Sequence, residues 1–178
     1  DADGHLSENM VADFRQILLT WYAESGRTHL PWRIDKEPYH IWVSEIMLQQ
    51  TQVETVIPYY ERFLAELPRV QDLAEADEEV LLKLWSGLGY YSRIRNMQKA
   101  AQQVMVDFDG QFPTTSQDLQ ILAGIGPYTA AAIASISFNE VVPALDGNMF
   151  RVFARLLKIK ADIAQPKSRK IFYDTILP

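Results

Sequence analysis

The run Leu122-Ala-Gly-Ile-Gly-Pro-Tyr-Thr-Ala-Ala-Ala-Ile133, followed by Ala144-Leu-Asp-Gly-Asn148, decides how this chain reads. Gly124 and Gly126 flank one apolar residue, and a helix of small residues begins at once. Glycine has no Cβ and tolerates positive φ, so such a turn lets backbone approach a ligand closely. Pro127 suits the first turn of the helix that follows. The N–H groups around Gly124, Gly126 and Tyr128 would donate to a backbone phosphate without reading its sequence. Thr129 and the alanines after it permit close helix packing, and Thr129 is also counted with Gly124, Gly126 and Pro127 among the groups that would meet the ligand. Asp146 is a lone carboxylate in an apolar approach to another helix. It reads either as an N-cap, for which Asp is preferred, or as an acid held ionised for chemistry. A phosphate clamp with a lone acid downstream points to chemistry on a nucleic acid.

Outward from that run, the apolar periodicity is helical almost throughout. Phe14, Ile17, Leu18, Trp21 and Tyr22 recur at spacings of three and four, which predicts a first helix over about 7–23. A second helix is expected over 39–53, and Pro58 is expected to break the chain or start a new helix. Further helices are expected near 58–67, 70–74, 78–84, 93–108, 115–121, 127–137, 148–157 and 166–176. The only strand candidates are short, such as Val141-Val142. The fold class is therefore all-α.

Composition narrows the partners. The hydrophobic share of 48% in 178 residues suits a globular core rather than a disordered chain. No apolar run approaches the ~20 residues of a membrane span, and the polar start from Asp1 to Asn9 does not resemble a signal peptide. There is no cysteine, hence no disulfide or thiolate metal site within these residues. The three histidines, His5, His29 and His40, share no metal-ligand spacing. The net charge of −6 argues mildly against nucleic acid. Its distribution softens that argument: acid clusters over 66–79, while Arg151, Arg155, Lys158, Lys160, Lys167, Arg169 and Lys170 face only Asp162.

Three motifs carry candidate chemistry. In Ile41-Trp-Val-Ser-Glu-Ile-Met-Leu48, Glu45 lies among apolar residues. Burial would raise its pKa toward that of a general acid, the alternative being a surface glutamate at the edge of an apolar face. Gln49, Gln50 and Thr51 end that run with hydrogen-bonding groups suited to base edges or to insertion between bases, or simply to capping. In Gly87-Leu-Gly-Tyr-Tyr-Ser-Arg-Ile-Arg95, Tyr90 or Tyr91 would wedge a base stack while Arg93 and Arg95 reach phosphates; the alternative is a helix start with core tyrosines.

These segments, with Leu30-Pro-Trp-Arg33, resemble the helix-hairpin-helix base-excision DNA glycosylase superfamily, and within it the MutY-type adenine DNA glycosylases. The resemblance runs from about Phe14 to Ile176. It implies a bilobal helical fold, with one lobe from 1–28 plus 140–178 and a second over 29–139 holding the hairpin. It implies excision of adenine opposite 8-oxoguanine or guanine in double-stranded DNA, by a monomer free of membranes, cytoplasmic and, in a bacterium, nucleoid-associated. By matching position, Glu45 would protonate the leaving adenine and Asp146 would stabilise the sugar cation. Tyr128 would stand where lyase-competent relatives such as endonuclease III carry lysine. Trp32 and Arg33 would line the adenine pocket, and Gln50 and Tyr90 would fill or wedge the stack. Ala123 replaces the proline usual in the hairpin. A four-cysteine 4Fe–4S cluster and an 8-oxoguanine-reading domain are expected in a longer parent chain, so this chain reads as C-terminally truncated. A bifunctional glycosylase/lyase and a non-catalytic DNA-binding module are the rival readings.

Overall fold

Local signals in the sequence place nearly every helix in the computed structural model, which describes residues 6–177. The acidic start from Asp1 and His5 lie outside the described residues. Among those described, the elements are α1 (Glu8–Ser25), a 3-10 turn (Pro31–Arg33), α2 (Pro38–Met47), α3 (Val53–Glu66), α4 (Val70–Glu75), α5 (Glu78–Trp85), α6 (Ser92–Asp107), α7 (Ser116–Leu119), α8 (Pro127–Phe138), α9 (Gly147–Leu156) and α10 (Pro166–Ile176). Val141-Val142 pairs with nothing as a strand, so the fold is all-α. No described helix is long and apolar enough to cross a membrane.

The chain divides into two units, Pro31–Ala144 and the residues on either side of it. In Pro31–Ala144, α2 packs on α8 and α3, α4 on α6, and α7 on α8. Its core holds Trp42, Trp85, Phe63, Met97 and Ile133, all nearly inaccessible. The small side chains from Thr129 to Ala134 are all buried, which lets α8 lie close against α2. In the other unit, Leu145, Phe150 and Phe172 form a small core, with Phe150 and Phe172 edge to face at 4.9 Å.

Two expectations are corrected. The second helix stops at Met47 rather than 53, because Gln50 adopts a left-handed φ of 59°. Pro58 neither breaks nor starts a helix: it lies inside α3. The carbonyl its missing N–H leaves unpaired is that of exposed Glu54, which water can satisfy. The apolar stripe of α1 also behaves differently from its periodicity. No α1 residue is buried, and Ile17, Leu18, Trp21 and Tyr22 are exposed; Phe14 meets Phe153 edge-on at 6.4 Å.

Candidate nucleic-acid interface and acids

The hairpin joins the short α7 to α8 through Leu122–Gly126. Gly124 has φ of +75°, and a Cβ there would lie 2.9 Å from the Asn96 Cβ on α6. Glycine at 124 is thus demanded by backbone conformation and by close packing. Gly126 differs: its φ is −87°, and a Cβ there would meet nothing within 4 Å. No protein neighbour explains glycine at 126, whose outer side is open. Gln103 pins the hairpin to α6 by accepting from the Ala123 amide at 2.8 Å and donating to the Ile121 carbonyl at 3.4 Å. The α8 start has Pro127 in its first turn and no side-chain cap. Its first amides therefore keep the anion-binding character of a helix N-terminus.

A stability prediction separates the two glycines. Gly124→Ala is expected to destabilise by about 2 kcal/mol through positive φ and the Asn96 contact, lowering Tm by about 6 °C. Gly126→Ala is expected to leave Tm unchanged. Thermal melts followed by circular dichroism check both, and equal effects at the two positions would contradict the assignment.

Glu45 lies on α2, half-buried between Ser44 and Ile46, which are 1% and 3% exposed. Tyr128 is half-buried in the first turn of α8, the helix that packs on α2. Trp32 is buried and meets Tyr60 edge to face at 5.5 Å, while its neighbour Arg33 is exposed. Thr129, expected near the ligand, is instead 3% exposed, because its position on α8 turns it into the packed helix face.

Gln49 and Gln50 are exposed just past the end of α2, and the Thr51 hydroxyl donates to the Gln49 carbonyl at 3.4 Å. Tyr90 is also exposed, with a left-handed φ of 48°. Left-handed backbone costs a non-glycine residue about 1 kcal/mol or more, so both displays store strain that the surrounding structure must hold. Arg93 does not reach outward as expected. Its Nη1 donates to the carbonyls of Ile46 at 2.8 Å and Gln49 at 2.9 Å, and its Nη2 to those of Leu88 at 3.1 Å and Gly89 at 3.2 Å. Four carbonyls consume the Nη hydrogens that a phosphate would need. Arg95 donates instead to Glu78 at 3.2 Å on the surface, a pairing of little energetic weight.

Asp146 belongs to the other unit. It is the N-cap of α9: its Oδ1 accepts from the Met149 amide at 2.8 Å and its Oδ2 from the Asn148 side chain at 3.1 Å. The preceding residue, Leu145, is buried, and its carbonyl accepts from Arg169 Nη1 at 3.3 Å. Capping and backbone support together give the carboxylate a defined direction.

No group of three or more His, Cys, Asp and Glu among the described residues is placed to hold a metal ion, and the chain has no cysteine. These residues do not fit a thiolate-held iron–sulfur cluster.

Comparison with known proteins adds to this geometry. The profile of the HhH-GPD superfamily base excision DNA repair proteins matches residues 43–176. An adenine DNA glycosylase of Rattus norvegicus is 49% identical over 161 residues, covering 85% of this chain and 31% of that protein. The Homo sapiens adenine DNA glycosylase is 47% identical, with 85% and 29% covered. That of Buchnera aphidicola (Baizongia pistaciae) is 46% identical over 163 residues, with 92% and 46% covered. The chain thus spans less than half the length of these relatives. Among solved structures, a thermostable thymine-DNA glycosylase superposes with a TM-score of 0.79 at 23% identity over 93% of this chain and 77% of that one. An endonuclease III trapped covalently on DNA superposes with 0.74 at 19% identity over 97% and 78%. At such identities these two speak for the fold alone.

Proposed function

Since this chain belongs to the HhH-GPD superfamily base excision DNA repair proteins, we propose that it serves an adenine DNA glycosylase, removing adenine mispaired with 8-oxoguanine or guanine from double-stranded DNA. The observation that carries the reading is identity of 49% to a relative named for that activity, over 85% of the chain. The open side of Gly126 beside an uncapped helix start supports a DNA backbone as partner.

The chemistry follows from the residues. A base inside a duplex is inaccessible at its reacting atoms and must be extruded. Adenine leaves poorly as an anion, so Glu45 donates its proton to N7. The C1′–N9 bond then breaks with its electron pair going to the base, leaving an oxocarbenium-like sugar. Ionised Asp146 stabilises that cation, and water adds at C1′ with loss of a proton. Two carboxyl groups thus divide acid and electrostatic roles, as in glycosidases. Tyr128 stands beside the sugar. No lysine occurs between Leu122 and Ile133 to supply an amine nucleophile, which favours hydrolysis over lyase chemistry. Trp32 and Arg33 border the base, and Gln50 and Tyr90 enter the stack.

The test is single-turnover incubation of the protein at its native length, beside this chain, with an adenine:8-oxoguanine duplex. Free adenine and an alkali-labile abasic site are expected, with no borohydride-trapped adduct. Trapping would assign a lyase, and binding without excision a DNA-binding module. The Gly126→Ala variant is expected to bind this duplex about tenfold more weakly, through loss of close backbone approach.

A further inference from the structure

Arg93 makes many polar contacts within the Pro31–Ala144 unit, and they have an unusual form. All four partners of its Nη groups are main-chain carbonyls. Two, from Ile46 and Gln49, lie at and just past the end of α2, before exposed Gln50. Two belong to the loop before α6, from Leu88 and Gly89, just before exposed Tyr90. The guanidinium also lies over two rings, its Cζ being 5.2 Å from the Trp85 centroid and 5.7 Å from that of Tyr90. Trp85 Nε1 donates to the same Gly89 carbonyl at 3.0 Å.

Physical chemistry accounts for a cation there without a carboxylate. The last carbonyls of a helix lack intrahelical partners and carry the negative end of its dipole. No basic residue lies in the last turn of α2. Arg93 therefore completes that helix end from 47 residues away. A planar fork of donors can serve two carbonyl pairs at once; an ammonium is a point donor and cannot reproduce this. Both flanking residues, Gln50 and Tyr90, have positive φ, which neither side chain favours. Their two turns are thus tied through a single group.

We propose that Arg93 is a positioning residue: it staples the Gln50 turn to the Tyr90 turn, so that two side chains from separate segments act on the base stack as one rigid wedge. This rests on the reading of the protein as a base-extruding glycosylase. Arg93 touches neither substrate nor reacting atoms. Its contribution reaches the DNA only through Gln50 and Tyr90.

The test uses Arg93→Lys and Arg93→Met in the protein at its native length, alone and combined with Gln50→Ala/Tyr90→Ala. A duplex with 2-aminopurine beside the mispair reports stack opening by fluorescence, whether or not any base is excised. Both single variants are expected to lose about tenfold or more in stack opening and in single-turnover excision, while the salt dependence of binding stays that of the wild type. In the Gln50→Ala/Tyr90→Ala background, neither change at 93 is expected to have a further effect, the signature of residues acting as a unit. Wild-type stack opening in Arg93→Lys would overturn the proposal. So would losses that simply add in the combined variants, or a salt slope shallower by about one in Arg93→Met, the mark of a phosphate contact. A fall in Tm with stack opening per folded molecule unchanged would reduce Arg93 to a structural group. If the wild type opens the stack but excises no adenine, the proposed function fails and the staple stands.

Discussion

Glu45→Gln is expected to lower single-turnover adenine excision by about a thousandfold, within the range that a positioned general acid supplies. Glutamine keeps the size and the hydrogen-bonding reach of the side chain but has no proton to give. It is nearly as good a helix former as glutamate, and position 45 lies inside α2, away from its caps. Stability should change by about 1 kcal/mol or less, since the amide keeps the volume of this half-buried side chain. The variant should therefore bind the mispaired duplex, melt like the wild type and cleave almost nothing. Rates within about threefold of wild type on an adenine:8-oxoguanine duplex would remove Glu45 from the mechanism, since a positioned acid is worth far more. A loss of activity accompanied by a large fall in Tm would point instead to a packing role between Ser44 and Ile46.

Asp146→Asn is expected to cost about a hundredfold to a thousandfold in the same rate, the scale of a lost electrostatic partner to a developing charge. The cap geometry makes this substitution unusually informative. Asparagine caps helices as well as aspartate does, whereas alanine loses about 1 kcal/mol. The side-chain carbonyl of the introduced asparagine can still accept from the Met149 amide, so α9 should keep its start and the Arg169-supported approach its shape. The asparagine variant removes the charge alone. Asp146→Ala removes charge and cap together, and its melt should fall by a few degrees more. If Asp146→Asn excises adenine at the wild-type rate, the carboxylate is a cap and nothing else. Comparing the two variants by circular dichroism and single-turnover kinetics separates the roles without assuming either.

Much of this was readable from residues alone, for a local reason. Helix periodicity, a Pro at a first turn, an Asp before a helix and a Gly-x-Gly turn express preferences that act within about four residues. The all-α class, most helix positions, the hairpin and the cap at Asp146 depend only on such terms. Where a local signal misled, a nonlocal or solvent term outweighed it. Pro58 is carried inside α3 because only exposed Glu54 loses a partner. The stripe on α1 has the period of a buried face, yet periodicity does not state what covers it.

Tertiary structure decided the rest. Gly124 and Gly126 look equivalent in sequence, but Asn96 on α6 stands against one and nothing stands against the other. Thr129 turns into the α2–α8 packing rather than outward. Arg93, which sequence placed on a phosphate, is drawn inward by carbonyls up to 47 residues away in the chain. Such a partner leaves no mark in the residues around Arg93, because a guanidinium follows carbonyl acceptors wherever folding brings them. The sequence specified the helices and the chemical groups they display. Packing determined which of those groups remain exposed and which are spent in holding the others in place.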